Sequence, residues 1–162
     1  MQIKVGIGYD VHRLVKARKL FLGGVLIPHS LGLEGHSDAD VLLHAICDAI
    51  LGALGRGDIG EHFPNTDKKY KNISSVLLLR EVYKLVKTAK YKVGNVDAVI
   101  LAEKPNLQEH KPRMRAAIAQ ILGIAPADVN VKATTQEGLG AIGRGEGIAA
   151  YAVVMLIRER GH

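Results

Sequence analysis

With 162 residues, 48% of them apolar, the chain has material for one core, and a single domain spanning 1–162 is expected. Aromatics are only 4%, and neither basic cluster (Lys16, Arg18, Lys19; Lys68, Lys69, Lys71) has aromatic partners spaced as stacking platforms, which argues against nucleic acid. The formal charge of +6 suits a phosphate-rich ligand, one cysteine excludes an internal disulfide, and the longest apolar run, Ile148 to Ile157, is too short for a membrane-spanning helix, so a cytoplasmic protein with no membrane partner is expected.

The opening alternation is that of a strand and not of a signal peptide. Ile3, Val5, Ile7, Tyr9 and Val11 alternate with Lys4, Gly6, Gly8, Asp10 and His12. Asp10 and His12 therefore project from the same face. Leu20–Leu22 and Val25–Ile27 flank Gly23-Gly24, the pattern of a two-residue hairpin. Ser37 followed by Asp40 three residues later predicts a capped helix from about Asp38 to Leu54. Leu42, Ala45, Ile46, Ala49 and Ala53 form its apolar stripe, and Asp40, His44 and Asp48 recur at four-residue intervals on another face. Cys47 reads as a small buried filler in that helix.

Residues 56–72 are polar and turn-rich, an ordered surface loop or a lid. A second helix follows from Ile73 to about Ala89. Val96 to Ala102 reads as a strand, and Pro112 near the start and Gly123 at the end bound a third helix. Val129 to Thr134 is a short strand. Gly147 to Arg158 is a long apolar strand, central to a sheet or to a subunit interface. This order gives an α/β fold with helices packed on one face of a mixed sheet. The apolar side chains of the other face need a cover, and a partner subunit is the simplest one.

Two constellations carry chemistry. A carboxylate and an imidazole two apart on a strand can converge on one ion, and His44 is the best third ligand. Three protein ligands leave a fourth position open for a phosphate oxygen or water. The same residues also fit a hydrogen-bonded carboxylate and exposed imidazoles. His29, His62, His110 and His162 have no such neighbours and read as loop or surface residues. The second constellation is Lys132 to Gly138, where two hydroxyls and Glu137 end a strand, together with Arg144 among four glycines. Glu137 suits magnesium or manganese, and Arg144 suits a phosphate. A turn with an Arg144–Glu146 ion pair fits equally well.

These residues stand in stretches that resemble the 2-C-methyl-D-erythritol 2,4-cyclodiphosphate synthase family over nearly the whole chain. The stretches are Gly8 to His12, Gly35 to Ala45, Gly57 to Pro64, Lys132 to Glu137 and Gly143 to Gly147. The resemblance implies a homotrimer with active sites between subunits. It implies conversion of a cytidine-diphosphate-linked methylerythritol 2-phosphate into a cyclic diphosphate, with release of CMP. It implies zinc on Asp10, His12 and His44, and magnesium or manganese at Glu137. His36, Thr135 and Asp58 would be catalytic. His36 and Ser37 would hold the substrate phosphate, and Asp58 and Gly60 the polyol hydroxyls. Phe63, Pro64, Asn65, Thr66 and Asp67 would line the same region. Ala102, Lys104, Pro105, Ala133, Thr134 and Thr135 would surround the cytidine diphosphate, and Arg144 with Glu146 would form a charged ring at the mouth of a cavity on the trimer axis. Ala141 departs from the aromatic residue often found there, which would widen a cavity on the trimer axis. Two other functions fit the residues alone: a metal-dependent nucleotide phosphohydrolase, and a non-catalytic protein that binds nucleotides or isoprenoid diphosphates.

Overall fold

The structure, a computed structural model, describes residues 2–159. Strands β1 (Ile3–Val15), β4 (Gly32–Leu33), β5 (Tyr91–Leu101), β6 (Val129–Thr134) and β7 (Gly147–Arg158) form one mixed sheet in the order β4-β1-β7-β5-β6. β7 is central as expected and pairs antiparallel with both β1 and β5. β5 and β6 run parallel, which demands a crossover, and helix α4 (Lys111–Leu122) supplies it. The hairpin β2 (Leu20–Leu22) and β3 (Val25–Ile27) turns through Gly23 and Gly24, both at positive φ, as a tight two-residue loop requires.

The two faces of β1 differ in kind. Gly6 and Gly8 lie against helix α1 (Val41–Leu54), so closely that a Cβ on Gly8 would sit 1.8 Å from the Ala45 carbonyl oxygen. Asp10 and His12 continue that same face. The opposite face carries Ile3, Val5, Ile7, Tyr9 and Val11, and it is bare: Val5 is 64% and Ile7 68% exposed. Tyr151 and Val153 of β7 extend this apolar surface, with the Tyr9 and Tyr151 rings 4.7 Å apart. The helices thus cover one face of the sheet. Among the described residues, no helix is long and apolar enough to cross a membrane.

Helix α1 begins later than its sequence suggests. Ser37 does not cap it; Asp40 does, accepting the Leu43 N–H at 3.0 Å. The same carboxylate accepts the N–H groups of Gly23 and Gly24 at 2.9 and 2.7 Å, so it welds the hairpin to the helix. Asp40 is fully buried and does not belong to a polar helix face. Burial pushes its carboxyl up, against the pull of these donors. Cys47 is a buried filler, its thiol pushed up by desolvation and by Asp48 and Asp40.

The loop over residues 56–72 is partly ordered into α2 (Ile59–His62) and a 3-10 turn at Lys68–Tyr70. Asp48, four residues after His44, accepts the Ile59 N–H at 2.8 Å and so ties α2 to α1. Helix α3 (Ser75–Thr88) is capped by Ser74, and α4 ends at Gly123 in a left-handed turn as expected. The strand expected at residues 96–102 starts earlier, at Tyr91, pairing against β7 through a register shift between Val93 and Asn95. Helix α5 (Gly140–Gly143) is a short turn ahead of β7.

Candidate metal centre and substrate clefts

Asp10, His12 and His44 do meet. Asp10 Oδ2 lies 2.9 Å from His12 Nε2 and 2.9 Å from His44 Nδ1, and the two ring nitrogens are 3.3 Å apart. The close contact of α1 with the glycine face of β1 brings His44 within this reach. Among the described residues this is the one group of three or more His, Cys, Asp or Glu side chains able to share an ion.

The ring geometry fits a cation. His12 Nδ1 is 2.7 Å from the Glu34 carbonyl oxygen, which can only accept. Neutral His12 therefore carries its proton on Nδ1 and turns a bare Nε2 toward Asp10. One carboxylate oxygen and two imidazole nitrogens is a donor set zinc accepts. Burial raises the Asp10 pKa, but hydrogen bonds to His12 and His44 and their charges outweigh it and bring the value to about 2. Burial lowers the His12 pKa, yet the Asp10 bond and charge leave it raised.

The triad opens into a cleft of about 230 Å³, also lined by His36, Ser37, Ile59, Gly60, Phe63 and Asn65. His36 Nε2 is buried there with no hydrogen-bond partner among the described residues, a polar group open to a ligand oxygen. Arg18 was legible only as surface charge, yet it donates to the Ser37 carbonyl at 2.6 Å and the Gly35 carbonyl at 3.2 Å, which fixes this loop. Tyr70, Ile73 and Leu78 complete the wall, and Tyr70 packs edge-on against Phe63 at 5.2 Å. Asp58 caps α2 through the Glu61 N–H at 3.0 Å, and Asp67 caps the following turn through the Lys69 N–H at 3.1 Å. Asp58, Pro64, Thr66 and Asp67 do not line this cleft, while Gly60, Phe63 and Asn65 do.

A second cleft, of about 700 Å³, gathers Ala102, Lys104, Pro105, Ala133, Thr134 and Thr135. These are the residues expected around the nucleotide. His29 lines it too, although its sequence neighbours marked it only as a loop residue. Glu103 was missed as well. It accepts the Gln136 N–H at 2.6 Å and braces the loop after β5 against the loop after β6. Glu137 is exposed at φ +52°, outside the triad. Arg144 donates to Glu146 at 2.7 Å, the ion pair foreseen as its alternative role, and lines a neighbouring hollow with His29, Glu103 and Lys104. Ala141 faces a shallow hollow with Val11, His12 and Glu146. His62 donates to the Arg56 carbonyl, and His110 ends a 3-10 turn. His162 lies outside the described residues. Among the described residues none lines both of these clefts.

Fold and site define an α/β protein with a triad able to hold a cation at the edge of one cleft and a separate polar cleft at the parallel strand ends. A model of the YgbB family matches residues 3–157. The chain is 62% identical over 154 residues to a 2-C-methyl-D-erythritol 2,4-cyclodiphosphate synthase of Syntrophotalea carbinolica, covering 95% of this chain and 94% of that one. It superposes on the bifunctional IspDF of Campylobacter jejuni with a TM-score of 0.92 and 46% identity, covering 96% of this chain and 42% of that longer, two-function protein. A CDP complex of IspF from Plasmodium falciparum aligns with a TM-score of 0.86 and 35% identity, over 98% of this chain and 97% of that one. The chain belongs to the YgbB family.

Proposed function

We propose that this protein converts 4-diphosphocytidyl-2-C-methyl-D-erythritol 2-phosphate into 2-C-methyl-D-erythritol 2,4-cyclodiphosphate and CMP. The observation that carries the reading is the convergence of Asp10, His12 and His44 beside a cleft, in a chain 62% identical to a synthase of that name. Zinc at the triad, and magnesium or manganese at Glu137, supply charge neutralisation of the phosphates when bound.

The nucleophile is an oxygen of the substrate's own 2-phosphate, which is already largely ionised near neutral pH. It bonds to the β-phosphorus as the bond from that phosphorus to the α–β bridging oxygen breaks, and CMP leaves with the electron pair. No strong protein base is needed. The obstacles are anion repulsion and the ordering of a flexible molecule. His36 and Ser37 hold phosphate oxygens in the smaller cleft, and Gly60, Phe63 and Asn65 enclose the polyol there, with Asp58, Pro64, Thr66 and Asp67 shaping the loop behind them. Ala102, Lys104 and Pro105 with Ala133 and Thr134 hold the cytidine diphosphate in the larger cleft. Thr135 orients a diphosphate oxygen and Arg144 adds positive charge. Holding both ends in a near-attack geometry contributes up to roughly 7–11 kcal/mol.

Within one chain the two clefts share none of the described residues. A homotrimer in which the cation cleft of one subunit meets the nucleotide cleft of its neighbour unites them. The bare apolar face of β1 and β7 supports such an assembly, since patches of this type mark interaction sites.

The test is incubation with substrate, zinc and magnesium, following phosphorus NMR. CMP and a cyclic diphosphate are expected. Absence of CMP release overturns the reading, and a linear product carrying oxygen from labelled water assigns a hydrolase instead. Sedimentation of an Ile7→Asp variant tests the assembly: the parent should sediment as a trimer and the variant as a monomer.

A further inference from the structure

Behind His44 lies a polar pair that the chemistry above does not use. Ser75, the first residue of α3, is fully buried. Its hydroxyl stands 2.9 Å from His44 Nε2 and, on its other side, makes a short contact with Asp38 Oδ1. Asp38 Oδ2 accepts the Ser75 backbone N–H at 3.1 Å. Both carboxylate oxygens of Asp38 therefore serve Ser75, and Oδ1 also accepts the Asp40 N–H at 3.2 Å. Neighbouring backbone bonds hold the pair in place: the Asn72 N–H donates to the His36 carbonyl at 2.8 Å and the Asp38 N–H to the Ile73 carbonyl at 3.2 Å.

Proton counting gives this arrangement a direction. A serine hydroxyl has one proton and an ionised carboxylate has none. The Ser75 proton therefore goes to Asp38, and only oxygen lone pairs face His44. His44 Nε2 must then carry its hydrogen. A neutral imidazole has one N–H, so Nδ1 is bare, and Nδ1 is the atom that faces Asp10 and His12. For His12 a carbonyl enforces the equivalent choice directly, because a carbonyl cannot donate. A hydroxyl can do either. Without Asp38, Ser75 could donate to Nε2 and drive the His44 proton onto Nδ1, where it would fill the space between the ligands. Ser37 Oγ, 3.3 Å from the same Nε2, is the more distant acceptor and already takes the Ala39 N–H at 3.0 Å.

We propose that Asp38 and Ser75 are positioning residues for the cation site: the carboxylate orients the Ser75 hydroxyl, which holds His44 with its hydrogen on Nε2 and its lone pair on Nδ1. This rests on the triad being the zinc site. Partners behind a ligating histidine of this type typically change metal affinity 10–100-fold when removed.

The decisive variant is Asp38→Asn, which keeps shape and reverses the relay. With its amide oxygen on the Ser75 N–H, its amide hydrogens would face the Ser75 oxygen, and the Asp40 N–H would lose its acceptor. Ser75 would then donate to His44 Nε2, leaving the ring in the wrong tautomer. Two measurements read this out. Nitrogen-15 NMR of the zinc-free protein at about pH 9, well above the imidazole range, reports which ring nitrogen of His44 is protonated. Competition with a chromophoric chelator reports zinc affinity. The parent should show Nε2–H, and Asp38→Asn should show Nδ1–H with about 10–100-fold weaker zinc binding. An Asp38→Asn protein with Nε2–H and zinc affinity within about twofold of the parent overturns the relay. Should Asp38→Asn fail to fold, Ser75→Ala takes its place, with about tenfold weaker zinc binding expected and unchanged binding overturning the proposal. A parent that binds no zinc overturns the reading of the triad itself, a result seen in the parent alone and so distinct from failure of the relay.

Discussion

The two clefts are built to different standards. At the triad both imidazoles are held by something behind them, His12 by the Glu34 carbonyl and His44 by Ser75, and Asp40 fixes the start of α1 through three backbone N–H groups. At the larger cleft Thr135, Glu137 and Arg144 stand exposed on loops, and the Glu103–Gln136 bond braces the loop after β5 against the loop after β6. A small ion demands donors preset to a few tenths of an ångström. A flexible diphosphate tolerates, and even requires, loops that adjust around it. Substitutions at the first end should therefore register in cation affinity, and those at the second in KM for the nucleotide.

The largest expected effect is His44→Ala, which removes a ligand; zinc binding should be lost and CMP release should fall by about 10³-fold or more, as measured by chelator competition and product assay. Next is Gly8→Ala. Its methyl would collide with the Ala45 carbonyl and push α1 away from β1, costing about 1–3 kcal/mol in denaturant unfolding and weakening zinc binding although it touches no ligand. Glu103→Ala should raise KM for the cytidine substrate by about tenfold while leaving zinc affinity unchanged; a reversed pattern would break the division between the ends. The His12 pKa lies above its ordinary value, and a protonated imidazole cannot ligate. Zinc affinity should therefore start to fall above about pH 6.5 as the solution is acidified, earlier than for an unperturbed histidine, in a titration of apparent affinity against pH. The smallest effect is at Asp97, whose pKa is lowered by its bond to Lys132 and, against desolvation, by Asn130. A lowered folded pKa gives stability that is present above the unfolded value and lost as pH falls through the folded one. The pair is exposed and screened, so Asp97→Asn should cost below about 1 kcal/mol near neutral pH in thermal unfolding.

Local pattern made much of this legible. The run Gly147 to Arg158 reads as a strand with those same limits, and Gly23-Gly24 reads as the hairpin turn it is. Asp10 and His12 follow from period two alone. The start of α1 did not, because Asp40 is chosen as the cap by a tertiary demand: the hairpin N–H groups need the same carboxylate. β4 and α5 are too short to leave a periodic signal. Ser75 reads as one more small residue beside a cap, since nothing within its own helix shows that His44, 31 positions earlier, lies opposite. Glu103 and Arg18 were hidden for the same reason, each acting on a loop remote in sequence. The resemblance to known synthases named ligands and cleft residues, but the supports behind them came only from side-chain geometry.

Strand β1 works from both its sides. The front bears two of the three donors, and the back bears valine, isoleucine and tyrosine left open to water. Whatever seals the back also stiffens the front, because the same backbone carries both. In the proposed trimer, dilution should be felt as a loosening of the ion's grip and the cation should help hold a dilute protein together, so that metal content and protein concentration are best controlled jointly.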